Sequence, residues 1–221
     1  GAAWYHLDNV GWAVQPLGAS DHPDEEGRGK RPILKGWRKH TSANIDSGFL
    51  DKHFNPASNN NLGCVVRVPF VHIDLDSKPD NGESVQAFLK SAPELSGVPR
   101  ERTAGGVHLV FRCHDLPQEI LELSEAPMVQ VNDKVQAELY KDGLNIVLSP
   151  SVHKSGHKYH WEVTGDIPEV SWSDLCRWFG FVLPPKKRGP GRPPKERPWF
   201  AAYQEDLRTL DLLSALREIN H

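Results

Sequence analysis

The stretch Phe70-Val71-His72-Ile73-Asp74-Leu75-Asp76 decides the fold of this chain. It is an apolar, β-branched run that ends in two carboxylates separated by one residue, and it predicts a buried strand. Successive side chains of a strand face opposite sides, so Asp74 and Asp76 share one face while Ile73 and Leu75 point into the core. Two carboxylates a few Å apart repel each other unless a cation lies between them, and a divalent ion is the usual one. A solvated strand end is the alternative for an isolated Asp-x-Asp, so the interpretation depends on the rest of the chain.

The composition is that of a globular protein. The chain has 221 residues, of which 38% are hydrophobic and 25% charged, and this is enough to bury a full core. No stretch approaches the apolar length that crosses a bilayer, and no signal peptide is visible, so we expect a soluble, cytoplasmic protein with no membrane partner. Cys64, Cys113 and Cys176 lie far apart in apolar surroundings, which favours buried thiols over a disulfide framework or a zinc site.

The net charge of −3 conceals a basic segment near the end of the chain. Residues 184–198 carry six Lys and Arg against one Glu, among prolines and glycines, which predicts an extended linker. Within it, Gly191-Arg192-Pro193 is similar to a minor-groove hook of some DNA-binding proteins, with a plain charged linker as the alternative. The candidate DNA-binding residues are Lys186, Lys187, Arg188 and Arg192.

Beyond the linker, apolar residues recur every three or four positions from Phe200 to Leu216. This spacing predicts an amphipathic helix within residues 199–221. One helix cannot bury its own apolar stripe, so we expect it to dock on the main domain or to begin a helical module.

Hydrophobic periodicity predicts the elements around the Asp-x-Asp strand. Helices are expected at 45–54, with Asn44 as the N-cap, and at 83–89, 118–123 and 170–181. Strands are expected at 11–17, 62–68, 108–111, 135–140, 144–148 and 159–163. Pro69 predicts a tight connection between two adjacent strands, and Asp142-Gly143 predicts a hairpin turn that pairs strands 135–140 and 144–148. Residues 93–102 are expected to form a loop.

Two further stretches carry candidate chemistry. Gly105-Gly106 permits a tight turn or a close backbone approach to a ligand, and His108 then opens a strand on the face opposite Leu109. Glu138 faces away from its apolar neighbours on a later strand, where a solvent-facing acid is the alternative. A structural role is likewise the alternative for an isolated His.

Basic residues between Lys30 and Arg38 bracket Trp37, a pattern that suits a phosphate-and-base surface but also a solvated loop. Three histidines between His153 and His160 have spacing that could bind zinc, yet they lack Cys or carboxylate partners at matched spacing.

Taken in order, these motifs resemble the bifunctional primase–polymerase (Prim-Pol) family of the archaeo-eukaryotic primase superfamily, found largely in phage, plasmid and other mobile-element replication proteins. The resemblance covers about residues 10–163. It implies an α+β fold, in which an N-terminal α/β part packs on a sheet related to the RNA-recognition motif, with the active site in the cleft between. The expected organisation is a catalytic domain at 4–183, the basic linker at 184–198, and a C-terminal helical appendage at 199–221.

The resemblance also implies roles for individual residues. Asp74 and Asp76 match the motif that holds the catalytic ions, and Glu138 lies where a third acidic ligand, commonly Asp, is expected. His108 matches the histidine that contacts the phosphates of the incoming nucleotide. Gly106 occupies the place of a common Ser, which would leave its backbone N–H as the donor.

The sequence departs from the family where an Arg is common, because Tyr140 stands there. The remaining phosphate contacts are then expected elsewhere. The candidate nucleotide-binding residues are Gly105, Gly106, His108, Lys141, His153 and Lys35.

The implied activity is template-dependent nucleotidyl transfer, by a DNA polymerase or DNA primase with two Mg²⁺ or Mn²⁺ ions. The implied partners are a DNA template and primer, dNTP or rNTP, and a fused or cooperating helicase. Three alternatives remain open: an Asp-x-Asp glycosyltransferase with a Mn²⁺-bound nucleotide sugar, a non-catalytic DNA-binding module, and a metal-dependent nuclease.

Overall fold

The computed structural model describes residues 11–21, 29–55 and 57–185. The strands are β1 (Ala13–Leu17), β2 (Asn61–Val65), β3 (Phe70–Asp76), β4 (Arg100–Arg102), β5 (Gly106–Cys113), β6 (Met128–Gln130), β7 (Gln136–Tyr140), β8 (Asn145–Leu148), β9 (His160–Val163) and β10 (Glu169–Val170). The α-helices are α1 (Ser47–His53), α2 (Glu83–Ser91), α3 (Gln118–Leu121) and α4 (Trp172–Phe179). Short 3₁₀ turns lie at Trp37–Lys39, Ser42–Asn44, Lys78–Asp80 and Pro93–Leu95.

The strands form two sheets that are mainly antiparallel. The large sheet has the order β6-β7-β3-β5-β4-β9, and β10 extends it by pairing with the end of β5. The small sheet has the order β1-β2-β8. The described residues therefore form a mixed α/β fold with few helices, which agrees with the predicted α+β class. The relation to the RNA-recognition motif stays a prediction.

The predicted Asp-x-Asp strand is β3, at the centre of the large sheet. It pairs with β5 along its whole length and with β7 on its other side. The fully buried side chains of Ile73 and Leu75 pack in a core that α2 and α4 cover with Leu89 and Phe179. Each such side chain stabilises the fold by about 1.5–3 kcal/mol relative to an exposed one.

The small sheet packs on the opposite face of the large sheet, over the beginning of β3. The Trp12 ring lies 5.1 Å from the ring of His72 and 6.1 Å from that of Phe70, between ring centroids. His72 is therefore buried, whereas Asp74 and Asp76 at the end of the strand are only half-buried. The carboxylate end of β3 is thus partly exposed where the small sheet does not cover it.

The predicted hairpin between residues 135–140 and 144–148 is wrong. A turn does form at Asp142-Gly143, but β7 pairs with β3 in the large sheet while β8 pairs with β2 in the small one. The strands diverge because Leu139 is buried in the core behind the large sheet, and Ile146 in the core between the sheets. The strands β2 and β3, on either side of Pro69, are likewise not neighbours, because β2 belongs to the small sheet and β3 to the large one.

Three predicted boundaries also change. The loop expected at 93–102 contains a 3₁₀ turn and the strand β4, which lacks hydrophobic alternation because its sequence is Arg-Glu-Arg. The helix α1 begins after Asp46, whose carboxylate accepts the Phe49 N–H, because the side chain of Asn44 is already bonded to the Thr41 N–H. The helix α4 begins after Ser171, since Val170 belongs to β10.

Other sequence expectations have mixed outcomes. The three cysteines are free thiols, of which Cys64 and Cys113 are buried and Cys176 is half-buried. Among the described residues, no helix is long and apolar enough to cross a membrane. Residues 186–221, which hold most of the predicted linker and the whole predicted C-terminal helix, lie outside the described part of the chain.

Candidate active site

Four polar side chains form a line across one face of the large sheet. The strand register places Glu138 of β7 opposite Asp74 of β3, Asp74 opposite His108 of β5, and His108 opposite Glu101 of β4. Directly opposite residues have Cβ atoms about 4.5–5.5 Å apart. Asp76 lies on the same face, two residues further along β3. The structure therefore brings the four predicted catalytic residues together and adds Glu101 to them.

The imidazole of His108 lies between two carboxylates. Its Nε2 atom is 3.7 Å from Asp74 Oδ1, and its Nδ1 atom is 3.7 Å from Glu101 Oε2. Burial lowers the pKa of His108, but the attraction of Asp74 and then of Glu101 outweighs it and raises the pKa to about 9. His108 is therefore a cation at neutral pH in this arrangement, with a charge suited to a phosphate.

Glu101 is the site residue that the sequence analysis missed. Its side chain is only 1% exposed, and Oε1 accepts a hydrogen bond of 2.8 Å from the Ser149 N–H, just after β8. A signal was available, because Gly105-Gly106 can close a short hairpin loop. A hairpin that pairs Arg102 with Val107, as observed, pairs Glu101 with His108.

The two glycines bring the start of β5 close to the end of β3. A Cβ atom on Gly105 would lie 2.0 Å from Asp76 Oδ1, and one on Gly106 would lie 1.8 Å from the carbonyl oxygen of Leu75. The expectation of a free Gly106 N–H is wrong, because this group donates to Thr103 Oγ1 at 2.9 Å and closes the turn. These glycines are therefore required by the contact between the two strands.

The carboxylates fit a hard divalent cation by their chemistry. Asp74, Asp76 and Glu138 offer only oxygen donors from one face, which suits Mg²⁺ or Mn²⁺. Among the described residues, however, no three His, Cys, Asp or Glu side chains are gathered closely enough to hold a metal ion. The three carboxylates thus share a face without converging on one point. Side-chain rotation would have to complete a coordination shell around a cation.

A comparison with known protein families agrees with this arrangement of carboxylates and a histidine on one face of the sheet. A sequence model of the family described as bifunctional DNA primase/polymerase, N-terminal (Prim-Pol), matches residues 3–175. The chain belongs to the Prim-Pol family. Membership indicates DNA primase/polymerase activity in replication, with DNA and nucleotides as substrates, and Prim-Pol domains typically use divalent metal ions. No curated protein matches the chain.

Two tyrosines line the Prim-Pol site. Tyr140, which stands where an Arg was expected, donates its hydroxyl to Glu138 Oε2 at 3.1 Å. The ring of Tyr159 lies 5.8 Å from that of His108, between centroids. Burial, followed by the negative charge of Asp74, raises the pKa of both hydroxyls above the ordinary value, so both are neutral donors. Tyr140 thus fixes a carboxylate at a position where an Arg would offer a phosphate contact.

Not all the predicted nucleotide contacts reach the site. The prediction for Lys141, which follows β7, is wrong, because its side chain is buried and donates to the carbonyls of Leu121 and Leu123. His153 contacts Ser155 in the loop after β8, and burial followed by the charge of Lys30 lowers its pKa.

Lys35 is exposed in the segment before the first 3₁₀ turn. The roles of His153 and Lys35 in phosphate binding stay predictions. The candidate DNA-binding residues Lys186, Lys187, Arg188 and Arg192 lie outside the described residues.

Proposed function

We propose that this Prim-Pol chain is a template-dependent nucleotidyltransferase, a DNA polymerase or DNA primase that replicates a phage, plasmid or other mobile element. The observation that supports it most is the line Glu138–Asp74–His108–Glu101 on one sheet face, with Asp76 beside it. Carboxylates for divalent ions and a cationic donor for phosphate are the groups that this reaction needs, and they lie side by side on this face of the sheet.

The reaction joins a primer 3′-oxygen to the α-phosphorus of a nucleotide and releases pyrophosphate. Two bound Mg²⁺ or Mn²⁺ ions would activate the attacking oxygen and neutralise the leaving group. Asp74, Asp76 and Glu138 would hold these ions, and Tyr140 holds Glu138 in place through its hydroxyl. Glu, with one more methylene than Asp, lets the third carboxylate reach further from its strand.

The imidazole of His108 would donate to an oxygen of the triphosphate. Burial lowers the pKa of this ring, but without a bound ion the charges of Asp74 and Glu101 outweigh burial, and Glu101 still faces the ring when Asp74 holds a cation. Glu101 contacts the Nδ1 side of the ring, and Asp74 faces the Nε2 side. Glu101 is a positioning residue in this proposal, since it is buried and acts on substrate only through His108.

The alternatives explain fewer of these contacts. An Asp-x-Asp glycosyltransferase accounts for Asp74 and Asp76 but not for Glu138 opposite Asp74 or for the buried His108–Glu101 pair. A non-catalytic DNA-binding module requires none of the carboxylates. A metal-dependent nuclease would use the same ions on a phosphodiester and would shorten DNA. Cooperation with a helicase stays a prediction from the resemblance.

Incorporation of labelled dNTP tests the proposal. The wild-type chain and the Asp74→Ala/Asp76→Ala variant are assayed on primed and unprimed templates, with Mg²⁺ and Mn²⁺ in parallel. We expect incorporation dictated by the template base in the wild type and background levels in the variant. The exposed pair Asp133→Ala/Asp166→Ala provides a matched control that keeps full activity. Synthesis that persists in the Asp74/Asp76 variant eliminates the assignment, and hydrolysis of a nucleotide sugar without dNTP incorporation establishes the glycosyltransferase instead.

A further inference from the structure

Two segments that are distant in sequence lie side by side near the candidate site. Buried Asn61 joins them, because its Nδ2 atom donates to the carbonyl of Gly29 at 3.0 Å and to that of Val152 at 2.8 Å. Its Oδ1 atom accepts the Val152 N–H at 2.9 Å. Lys30 is close enough to His153 for its charge to act on that imidazole. The first residues of the segments 29–39 and 152–160 therefore lie side by side.

These two segments are strongly basic. The two segments contain seven Lys and Arg and no Asp or Glu, within a chain whose net charge is −3. All seven side chains are exposed. We call this region the basic surface and define it by the residues Lys30, Arg31, Lys35, Arg38, Lys39, Lys154 and Lys158. Such a concentration of one sign of charge attracts polyanions.

The basic surface also presents planar groups on a fixed backbone. The Arg38 guanidinium lies 4.5 Å from the centre of the Trp37 ring. Arg67, which follows β2, donates to the carbonyls of Arg38 and His40 and ties this turn to the small sheet. Aromatic rings and guanidinium planes among cations are the groups on which the bases of single strands stack.

A short connection joins the basic surface to the site. The Ser149 N–H bonds to Glu101, which contacts His108. Two residues later, Ser151 exchanges hydrogen bonds of 2.8 Å with Leu62, the neighbour of Asn61. The segment 152–160 itself adjoins the site, because the ring of Tyr159 lies 5.8 Å from that of His108.

We propose that the basic surface binds the phosphodiester backbone of a single-stranded nucleic acid, the strand on which the site acts. This proposal rests on the proposed function. Seven cations on two segments exceed what the three phosphates of one nucleotide can pair with, whereas successive phosphodiesters can pair with all of them. The candidate DNA contacts at 186–192 belong to another part of the sequence and are unchanged in every variant below.

Salt-dependent binding of a fluorescent oligothymidylate, followed by anisotropy in chelator without nucleotide, tests the proposal. The variants are Arg38→Gln/Lys39→Gln and Lys154→Gln/Lys158→Gln, with Lys90→Gln/Lys134→Gln as an exposed control of equal charge change. Each phosphate contact to a single strand contributes about 0.7 to the slope of log K against log salt. Each surface pair should therefore lower the slope by about 1.4. Over a fourfold rise in salt, the wild type then loses about sevenfold more affinity than either surface variant.

The outcomes separate this proposal from its alternatives. Slopes equal to that of the control pair in both surface variants overturn it, and an effect of only one segment overturns the joint surface. A raised KM for dNTP with unchanged oligonucleotide binding assigns the cations to the triphosphate and also overturns it. Because binding is measured without metal or nucleotide, this result is independent of whether Asp74→Ala/Asp76→Ala abolishes synthesis. Far-ultraviolet circular dichroism of each variant checks that the fold is retained.

Discussion

Replacement of Glu101 by alanine should damage both stability and synthesis. The side chain is 1% exposed and has two contacts: Oε1 with the Ser149 N–H at 2.8 Å, and Oε2 with His108 Nδ1 at 3.7 Å. The first contact joins the large sheet to the segment that follows the small sheet. The second holds one side of the imidazole. Alanine removes both contacts at once.

The size of the effect follows from these contacts. A buried N–H without an acceptor costs about 1–3 kcal/mol, and removal of one partner of a buried charge pair costs about 3–5 kcal/mol. Because the two costs arise from one side chain, they overlap. We therefore expect Glu101→Ala to lower the free energy of unfolding by about 3–5 kcal/mol in total. Glu101→Gln keeps an acceptor for Ser149 and should lose only about 1–2 kcal/mol.

Denaturant unfolding in chelator measures the stability, and primer extension below the unfolding transition measures the activity. Groups that orient a metal-ligating imidazole are typically worth about 10–100-fold, and we expect kcat to fall by a comparable factor when His108 loses its support, with little change in KM for DNA. Glu162→Ala is the matched control. This exposed residue of β9 forms surface ion pairs with Arg100 and Arg102, which contribute about 0–1 kcal/mol.

Two results would refute the role of Glu101. One is a loss of stability no larger than that of Glu162→Ala. The other is wild-type primer extension by Glu101→Ala, which would show that the orientation of His108 does not depend on this carboxylate.

Three further predictions follow from single contacts. Gly105→Ala should abolish primer extension while the chain stays folded, since its Cβ would displace the Asp76 carboxylate. Gly106→Ala should instead unfold the chain, since its Cβ would strike the Leu75 carbonyl. Thermal unfolding and primer extension on both variants check this, and equal behaviour of the two variants would contradict it. In chelator, protonated His108 stabilises the fold, because its pKa is raised to about 9. This stabilisation is present in full below pH 6.5 and is lost as the pH rises through about 9, so the free energy of unfolding should fall by about 3 kcal/mol across that range. The decrease should be absent from His108→Gln, and its persistence there would assign it to another group. Lys141→Gln should destabilise the chain, because the buried Nζ atom donates to two carbonyls beside α3, and it should leave the KM for dNTP unchanged. A raised KM would instead show that Lys141 contributes to nucleotide binding.

The sequence predicted the part of the fold that depends on local alternation. In Phe70–Asp76, β-branched residues alternate with polar ones, so both the strand and the face shared by Asp74 and Asp76 could be read from periodicity. The same rule placed Glu138 opposite to the buried Leu139.

The failures have a common physical cause, which is tertiary context. Asp142-Gly143 forms a turn, but the core into which each flanking strand packs, rather than the turn, decides whether β7 and β8 pair. Lys141 looked like a phosphate ligand because it is basic and follows Tyr140, yet its buried Nζ atom donates to the carbonyls of Leu121 and Leu123. Glu101 lies in a strand with no hydrophobic pattern, so only the pairing across the Gly105-Gly106 turn reveals it.

The most direct test of the candidate site is the binding of Mn²⁺, followed by the electron paramagnetic resonance signal of the free ion. The wild-type chain is compared with Asp74→Asn/Asp76→Asn/Glu138→Gln, which keeps the size of each side chain, and with Asp133→Asn/Asp166→Asn as the exposed control. We predict saturable binding in the wild type and the control, and its loss in the triple variant. Equal binding isotherms for the wild type and the triple variant would contradict a metal site on this face of the sheet.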